Sequence, residues 1–309
     1  MDRITVAGTL PNHFNLPIWV AQDMGLLRRW GIEADVFLHT SLDEVYARIK
    51  DGRAQIGRTS TEMVILDREQ GGSQAIIAGN LNRLPFNFIA QPEIADVAGL
   101  RGKTIGVSSL AAGSSSLIMD LLADHGLVYP GDYSLVAIGP MITRWDMLRS
   151  REIDAGLQGV PYNFVALEQG YRDLPLGADG ETGWYAFTCY CTDVGWGETH
   201  RDLVERFLAA TVEAYRVIFS ADPAPDDIAH RHMKDYGFSR EDCARARRFC
   251  VETGVFPADG DISTLAVERL IGLSAGIRDL QTRAHTQAEQ YIDRSWLHAA
   301  WQRLGAGSA

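Results

Sequence analysis

Extended and helical patterns alternate from the first residues onward, and this alternation narrows the fold more than any other feature of the chain. Residues 3–7 read as a strand, and a loop over 8–15 leads to a helix predicted over 17–30, with Pro17 near its first turn and Gly31 after its end. A strand over 33–38 follows. Val45 and Ile49 stand one helical turn apart in a helix predicted over 42–51, which Gly52 closes. Short strands at 54–57 and 73–79 flank a helix at 61–70. Such β–α–β units build parallel sheets covered by helices.

A second series begins near residue 97, with strands expected at 104–107, 134–138 and 155–158 and helices at 116–125, 144–150 and 161–169. Beyond about residue 198 the pattern is almost wholly helical, over 201–219, 226–236, 239–253, 262–277 and 287–304. At 309 residues the chain exceeds what one hydrophobic core usually serves. Two series therefore predict two lobes. The first comprises 1–85 and 190–309, and the second 86–189, with the chain crossing near 81–91 and returning near 184–192. No solenoid-period repeat interrupts this pattern.

Composition removes several function classes. A formal net charge of −11 argues against a nucleic-acid surface, which needs clustered Lys and Arg. It leaves an anionic small molecule possible, since a site needs only one or two local cations. The most apolar run, 16–21, falls far short of the roughly 18 residues of a membrane span, so no transmembrane segment is expected. The opening Met1-Asp2-Arg3 enters a strand directly, without a basic segment and apolar core. The sequence as written therefore suggests a cytoplasmic protein, or a periplasmic or extracellular one from which a signal peptide was removed.

Of four cysteines, Cys189 and Cys191 are separated by one residue, and Cys243 and Cys250 lie seven apart. Neither spacing is a zinc or thioredoxin motif. On a strand both sulfurs of the first pair would share a face, where a disulfide is strained, so buried free thiols are expected. His230 and His232 point to different faces of a predicted helix and cannot share a metal. No metal or other cofactor is expected.

In a parallel α/β fold the carboxyl ends of the strands present polar groups to ligands. The loop after the first strand places Asn12, His13 and Phe14 there. His13, with a reference pKa of about 6.5, is the candidate acid/base should the protein be an enzyme; a loop-bridging role is the plain alternative. Arg58, Thr59 and Ser60 lie where the third strand passes into a helix. There, unpaired N–H groups and a planar guanidinium suit a carboxylate or sulfonate, although Thr59 or Ser60 could equally be an N-cap beside a surface arginine. Ser108, Ser109, Gly113, Ser114 and Ser115 form the corresponding small-residue loop of the second series, without the Gly-Lys-Ser/Thr ending of a P-loop. Arg144 faces the ligand or pairs with Asp146 or Glu152. Gln158 and Tyr162 are wall residues, and Asn80, Trp184 and Tyr185 lie near the crossovers, as ligand contacts or as core.

Five segments resemble, in order, the substrate-binding proteins of aliphatic-sulfonate, nitrate and taurine importers, a family that also includes pyrimidine-precursor synthases of thiamin biosynthesis. They are PIWVAQDMGLLRRWGIEADV, DEVYARIKDGRAQIGRTSTEMVI, ADVAGLRGKTIGVSSLAAGSSSLIMDLL, WDMLRSREIDAGLQGVPYNFVALEQGY and HRDLVERFLAATVEAYRVI. The resemblance implies a type II periplasmic-binding-protein fold, two α/β lobes with a ligand cleft between them. It implies a solute receptor for a small, anionic, aromatic or sulfonate-like molecule, with an ABC permease as partner. The alternative is a cytoplasmic enzyme on the same scaffold, a decarboxylase, a desulfinase-like lyase or a thiamin-pyrimidine synthase. Desulfinases of this fold use a cysteine in the first strand–helix loop, where this sequence has TLPNHF. The synthases carry a cysteine-rich motif that TCYC matches only superficially. An arginine in a similarly placed loop of the desulfinases singles out Arg58.

Overall fold

A computed structural model describes residues 1–9, 12–108, 110, 113–139, 141–175, 183–275 and 287–306, without the side chains of 42, 113–114, 273–275 and 306. The chain forms β1 (Asp2–Thr9), a 3-10 turn (His13–Asn15), α1 (Leu16–Asp23), α2 (Leu26–Arg29), β2 (Ile32–His39), α3 (Leu42–Lys50), β3 (Ile56–Ser60), α4 (Thr61–Glu69) and β4 (Gln74–Arg83). There follow β5 (Phe86–Ala90), β6 (Thr104–Val107), α5 (Gly113–Asp124), β7 (Ser134–Ala137), α6 (Met141–Arg149), β8 (Ala155–Gly159), α7 (Tyr162–Glu168) and β9 (Arg172–Leu174). The chain then returns through β10 (Trp184–Asp193) to α8 (Val194–Thr199), α9 (Arg201–Phe219), α10 (Ala224–Met233), α11 (Arg240–Glu252), α12 (Thr264–Ala275) and α13 (Ser295–Ala306).

Two compact units result. The first holds Met1–Arg83, Trp184–Ile271 and the described residues from 287 on; the second holds Leu84–Gly183 with 272–275. The first sheet has the order β2-β1-β3-β10-β4 and the second β7-β6-β8-β5-β9. In each, one strand runs antiparallel to its two neighbours: β10 between β3 and β4, and β5 between β8 and β9. This is the mixed α/β architecture expected.

In the first unit, α9 buries a stripe of Val204, Leu208, Val212, Tyr215 and Ile218 at helical spacing. Trp19 of α1 and Trp296 of α13 are also fully buried there. The single helix expected over 17–30 is broken at Gly25, whose φ of 70° ends one helical run and starts another. The strand expected over 73–79 extends to Arg83. Asn80, expected near the crossover, and Asn82 lie on this strand, and both side chains are buried and hydrogen-bonded. β10 runs unbroken through residue 190, where a lobe boundary was expected, because its pairing with β3 and β4 holds the whole strand in the first sheet.

Gly79 is needed for a close approach. Its N–H donates to the Gly260 carbonyl at 2.8 Å, and a Cβ at this position would stand 2.6 Å from the backbone oxygen of Asp261. Backbone cannot yield as a side-chain end does. Gly79→Ala is therefore expected to destabilise the protein by about 1–3 kcal/mol, read as a lower urea midpoint with an unchanged slope. A midpoint equal to wild type would show that the 260–261 segment is free to move away.

Candidate functional site

In the first unit the polar chemistry converges on Arg58. In register, Arg58 of β3 lies between Gly8 of β1 and Tyr190 of β10, in the middle of the sheet. Its side chain crosses β1 above Gly8, where a Cβ would come within 3.2 Å of Nε. It then donates through Nη2 to the Thr9 hydroxyl at 2.8 Å and the Thr9 carbonyl at 3.3 Å, and through Nη1 to Asn80 Oδ1 at 3.4 Å. Asn80 is oriented in turn. Its Oδ1 accepts from the Thr188 hydroxyl at 2.7 Å, and its Nδ2 lies 3.4 Å from the Phe14 carbonyl. Tyr215, whose hydroxyl donates to the Gly79 carbonyl at 3.0 Å, closes the network.

Arg58 is 1% exposed, its Nε has no partner, and no carboxylate among the described residues lies within ion-pair distance of it. Burial lowers its pKa to about 10, opposed by the nearby Tyr190, Tyr215 and Cys189. It therefore keeps its charge at neutral pH. A buried cation without a counter-ion is costly, and an entering anion would relieve that cost. Arg58 is thus not the surface residue of the alternative reading.

The other candidates of this unit fare differently. Asn12 caps the 3-10 turn, its Oδ1 accepting from the Phe14 N–H at 3.1 Å. Phe14, 2% exposed, is packed in the core. Thr59 is opposite Cys189 and, by the alternation of the strand, points away from the Arg58 face. Ser60 stands at the N-cap of α4 without a side-chain capping bond. The face of Trp184 is covered by the Arg83 guanidinium at 4.1 Å, and Tyr185 is buried.

In the second unit Arg144 is 3% exposed, with Nη1 donating to the Ser108 hydroxyl at 3.0 Å and Nε unpartnered. The ion pair considered with Asp146 or Glu152 does not form. Asp146 pairs with Arg149, and Glu152 accepts from Ser150. Gln158 on β8 is fully buried, and neither atom of its amide has a partner among the described residues. Ser115 is buried in the first turns of α5, and Tyr162 at the start of α7 is also buried. Gly113 and Ser114 open α5, and the Ser114 side chain and all of Ser109 lie outside the described residues. Thr9, Thr188 and Tyr215 were missed. Their roles depend on pairings across 49 to 136 positions of sequence, which no local pattern carries.

The four cysteines are free and buried, as expected. Burial pushes the Cys189 thiol up to about 12, against the pull of Thr61 and Arg58. His230 contacts the Phe238 carbonyl, while His232 stacks on Trp19 and meets Asp23. Among the described residues no group of three His, Cys, Asp or Glu is placed to hold a metal ion, and no helix is long and apolar enough to cross a membrane.

Residues 11–224 match the family model described as NMT1/THI5 like. The chain belongs to that family. No curated protein matches it in sequence. Among solved structures, this NMT1/THI5-like chain shares its fold with the periplasmic nitrate-binding protein NrtA from Synechocystis PCC 6803. The two are 13% identical over 98% of this chain and 89% of that one, with a TM-score of 0.79. It is also similar to the periplasmic aliphatic sulphonate binding protein SsuA from Escherichia coli, at 14% identity over 98% and 100% of the two chains, TM-score 0.72. The desulfurization enzyme DSZB is 19% identical over 98% and 100%, with a TM-score of 0.70. The type II periplasmic-binding-protein fold is therefore this chain's fold.

His13 requires a correction. It is fully buried, and neither ring nitrogen has a partner. Burial, and secondarily the charge of Arg247, lower its pKa to about 3. It is a neutral ring throughout the physiological range and no proton donor. The unfolded chain protonates this histidine below about pH 6.5, whereas the folded one resists until about 3. The associated stability is complete above pH 6.5 and is lost as pH falls from there toward 3, by at most about 1.4 kcal/mol per unit. His13→Leu should flatten the stability–pH curve across that window and leave stability at pH 7.5 near wild type, measured by urea unfolding. Parallel curves for the two proteins would mean that the ring reaches solvent.

Proposed function

We propose that this protein is a solute receptor of the ABC-importer type that binds a small organic oxyanion, a carboxylate or a sulfonate, with Arg58 as its anchor. The carrying observation is the Arg58 guanidinium, buried, charged and unmatched by any carboxylate among the described residues. A receptor needs a preformed site whose charge is completed by its cargo, and a cradle of neutral hydroxyls and amides supplies orientation without cancelling that charge. Thr9 and Asn80 are such groups. Membership of the NMT1/THI5-like family supports the reading, as does a fold shared with proteins named for nitrate and sulphonate binding. An importer permease is the partner that follows, and a periplasmic or extracellular location is where such a receptor works.

The groups on which catalysis would have relied weigh for binding without turnover. The His13 ring, with a pKa near 3, is too weak a base and is never a neutral-pH acid, and the Cys189 thiol stays protonated.

A ligand present at a hundred times its Kd stabilises the folded state by about 2.7 kcal/mol. Sodium methanesulfonate, nitrate and benzoate, each against sodium chloride at equal ionic strength, are expected to include at least one that raises the melting temperature of the protein. Arg58→Met should fold and lose that rise. A variant that keeps the full ligand-induced shift would remove Arg58 as the anchor.

A further inference from the structure

The second unit holds a buried arginine of its own, on the same sheet face as a buried amide that no described residue satisfies. Arg144 projects from α6 over β6, with its Cδ 3.7 Å from where a Cβ on Gly106 would sit. β6 and β8 pair in parallel with Gly106 opposite Gly156. Side chains alternate along a strand, so Ser108 and Gln158, two residues beyond those glycines, share the face on which Arg144 lies. Met141, one helical turn before Arg144, places its sulfur 3.3 Å from the Gly159 N–H, so α6 covers the peptide that joins Gln158 to Gly159. Asn87, opposite Gln158 on β5, is occupied elsewhere, with Asn163 and with Asp173.

We propose that Arg144, Ser108 and Gln158 form an oxyanion-binding subsite in the second unit, which takes a carboxylate or sulfonate group. Among the described residues Arg144 has one hydrogen-bond partner, the Ser108 hydroxyl, and its charge meets no carboxylate there. Buried polar side chains in folded proteins are nearly always hydrogen-bonded, and Gln158 is fully buried with no partner for either amide atom among the described residues. Ser108 is only half-buried, which keeps the guanidinium within reach of solvent at that end. A single guanidinium balances a single negative charge, so a monoanion suits this subsite and a phosphate dianion does not. The Gln158 amide adds an NH2 group with two N–H donors and a carbonyl acceptor, which fits a ligand bearing a hydroxyl or amide next to its anionic group. The inference stands on the second unit alone and does not need the Arg58 reading.

The test measures binding of sodium methanesulfonate, acetate and phosphate to the full-length protein by calorimetry, with thermal melts of the ligand-free variants. Arg144→Met removes an unmatched buried charge. It is expected to raise the ligand-free melting temperature and to weaken methanesulfonate or acetate binding at least tenfold. Gln158→Leu, similar in size, should fold as wild type and weaken binding at least threefold. A wild-type protein indifferent to both monoanions, tighter binding of phosphate than of either, or an Arg144→Met protein that melts lower yet binds as wild type would each overturn the proposal. Where Arg144→Met does not fold, undiminished binding by Gln158→Leu overturns it. Arg58→Met separates the two assignments: loss of binding in that variant alone ends this one, and loss in the second-unit variants alone ends the Arg58 reading.

Discussion

A guanidinium enclosed in a β-sheet without a carboxylate to meet it is the constraint from which the rest of the first unit follows. Arg58 sits on an interior strand, where an ordinary side chain would be apolar, and the sheet accommodates it by leaving Gly8 bare alongside. The charge is then surrounded by neutral dipoles, the Thr9 hydroxyl and the Asn80 carbonyl oxygen, and Asn80 is held by Thr188. Neutral partners share hydrogen bonds with a cation but do not discharge it. A carboxylate in the same position would have made a stable ion pair and a poor site, since a ligand would have to displace it.

The two sheets repeat one strand order although no repeat is visible in the sequence. The topology asks only for strands with apolar interiors, helices with one apolar stripe and glycines at close approaches, and many sequences meet those demands. The polar insertions are what distinguish the units. The first keeps an arginine on the strand itself, and the second brings its arginine from the helix α6. The same electrostatic result, a buried cation near the end of a parallel strand, is reached from two different elements.

Sequence patterns carried the parallel strands and most helices because their periodicities are local. They failed where tertiary contacts decide. The strand expected to end at 79 runs on to Arg83, where the crossing 260–262 segment and the Thr188 hydroxyl give the buried Asn82 and Asn80 their partners. Arg58 stood out in the sequence by its place between a strand and a hydroxyl-rich helix start, but its burial among Thr9, Asn80 and Gly8 depends on pairings no local pattern carries. The burial of His13 was not. A histidine after a strand end reads as solvated, and its enclosure depends on helices more than two hundred positions later, among them α11 with Arg247.

The fate of His13 also bears on what kind of work this scaffold does. An acid or base must change its protonation state near neutral pH, and an imidazole whose pKa has fallen to about 3 has lost that ability to desolvation. The cysteines have moved in the opposite direction for the same reason, since burial disfavours whichever form carries charge. Arginine differs, because its ordinary pKa is so high that a fall to about 10 still leaves it cationic, and so Arg58 and Arg144 keep their charge under the same burial that holds His13, Cys189 and Cys191 neutral. Desolvation therefore takes proton transfer near neutral pH away from His13 and Cys189 and leaves Arg58 and Arg144 as fixed positive charges.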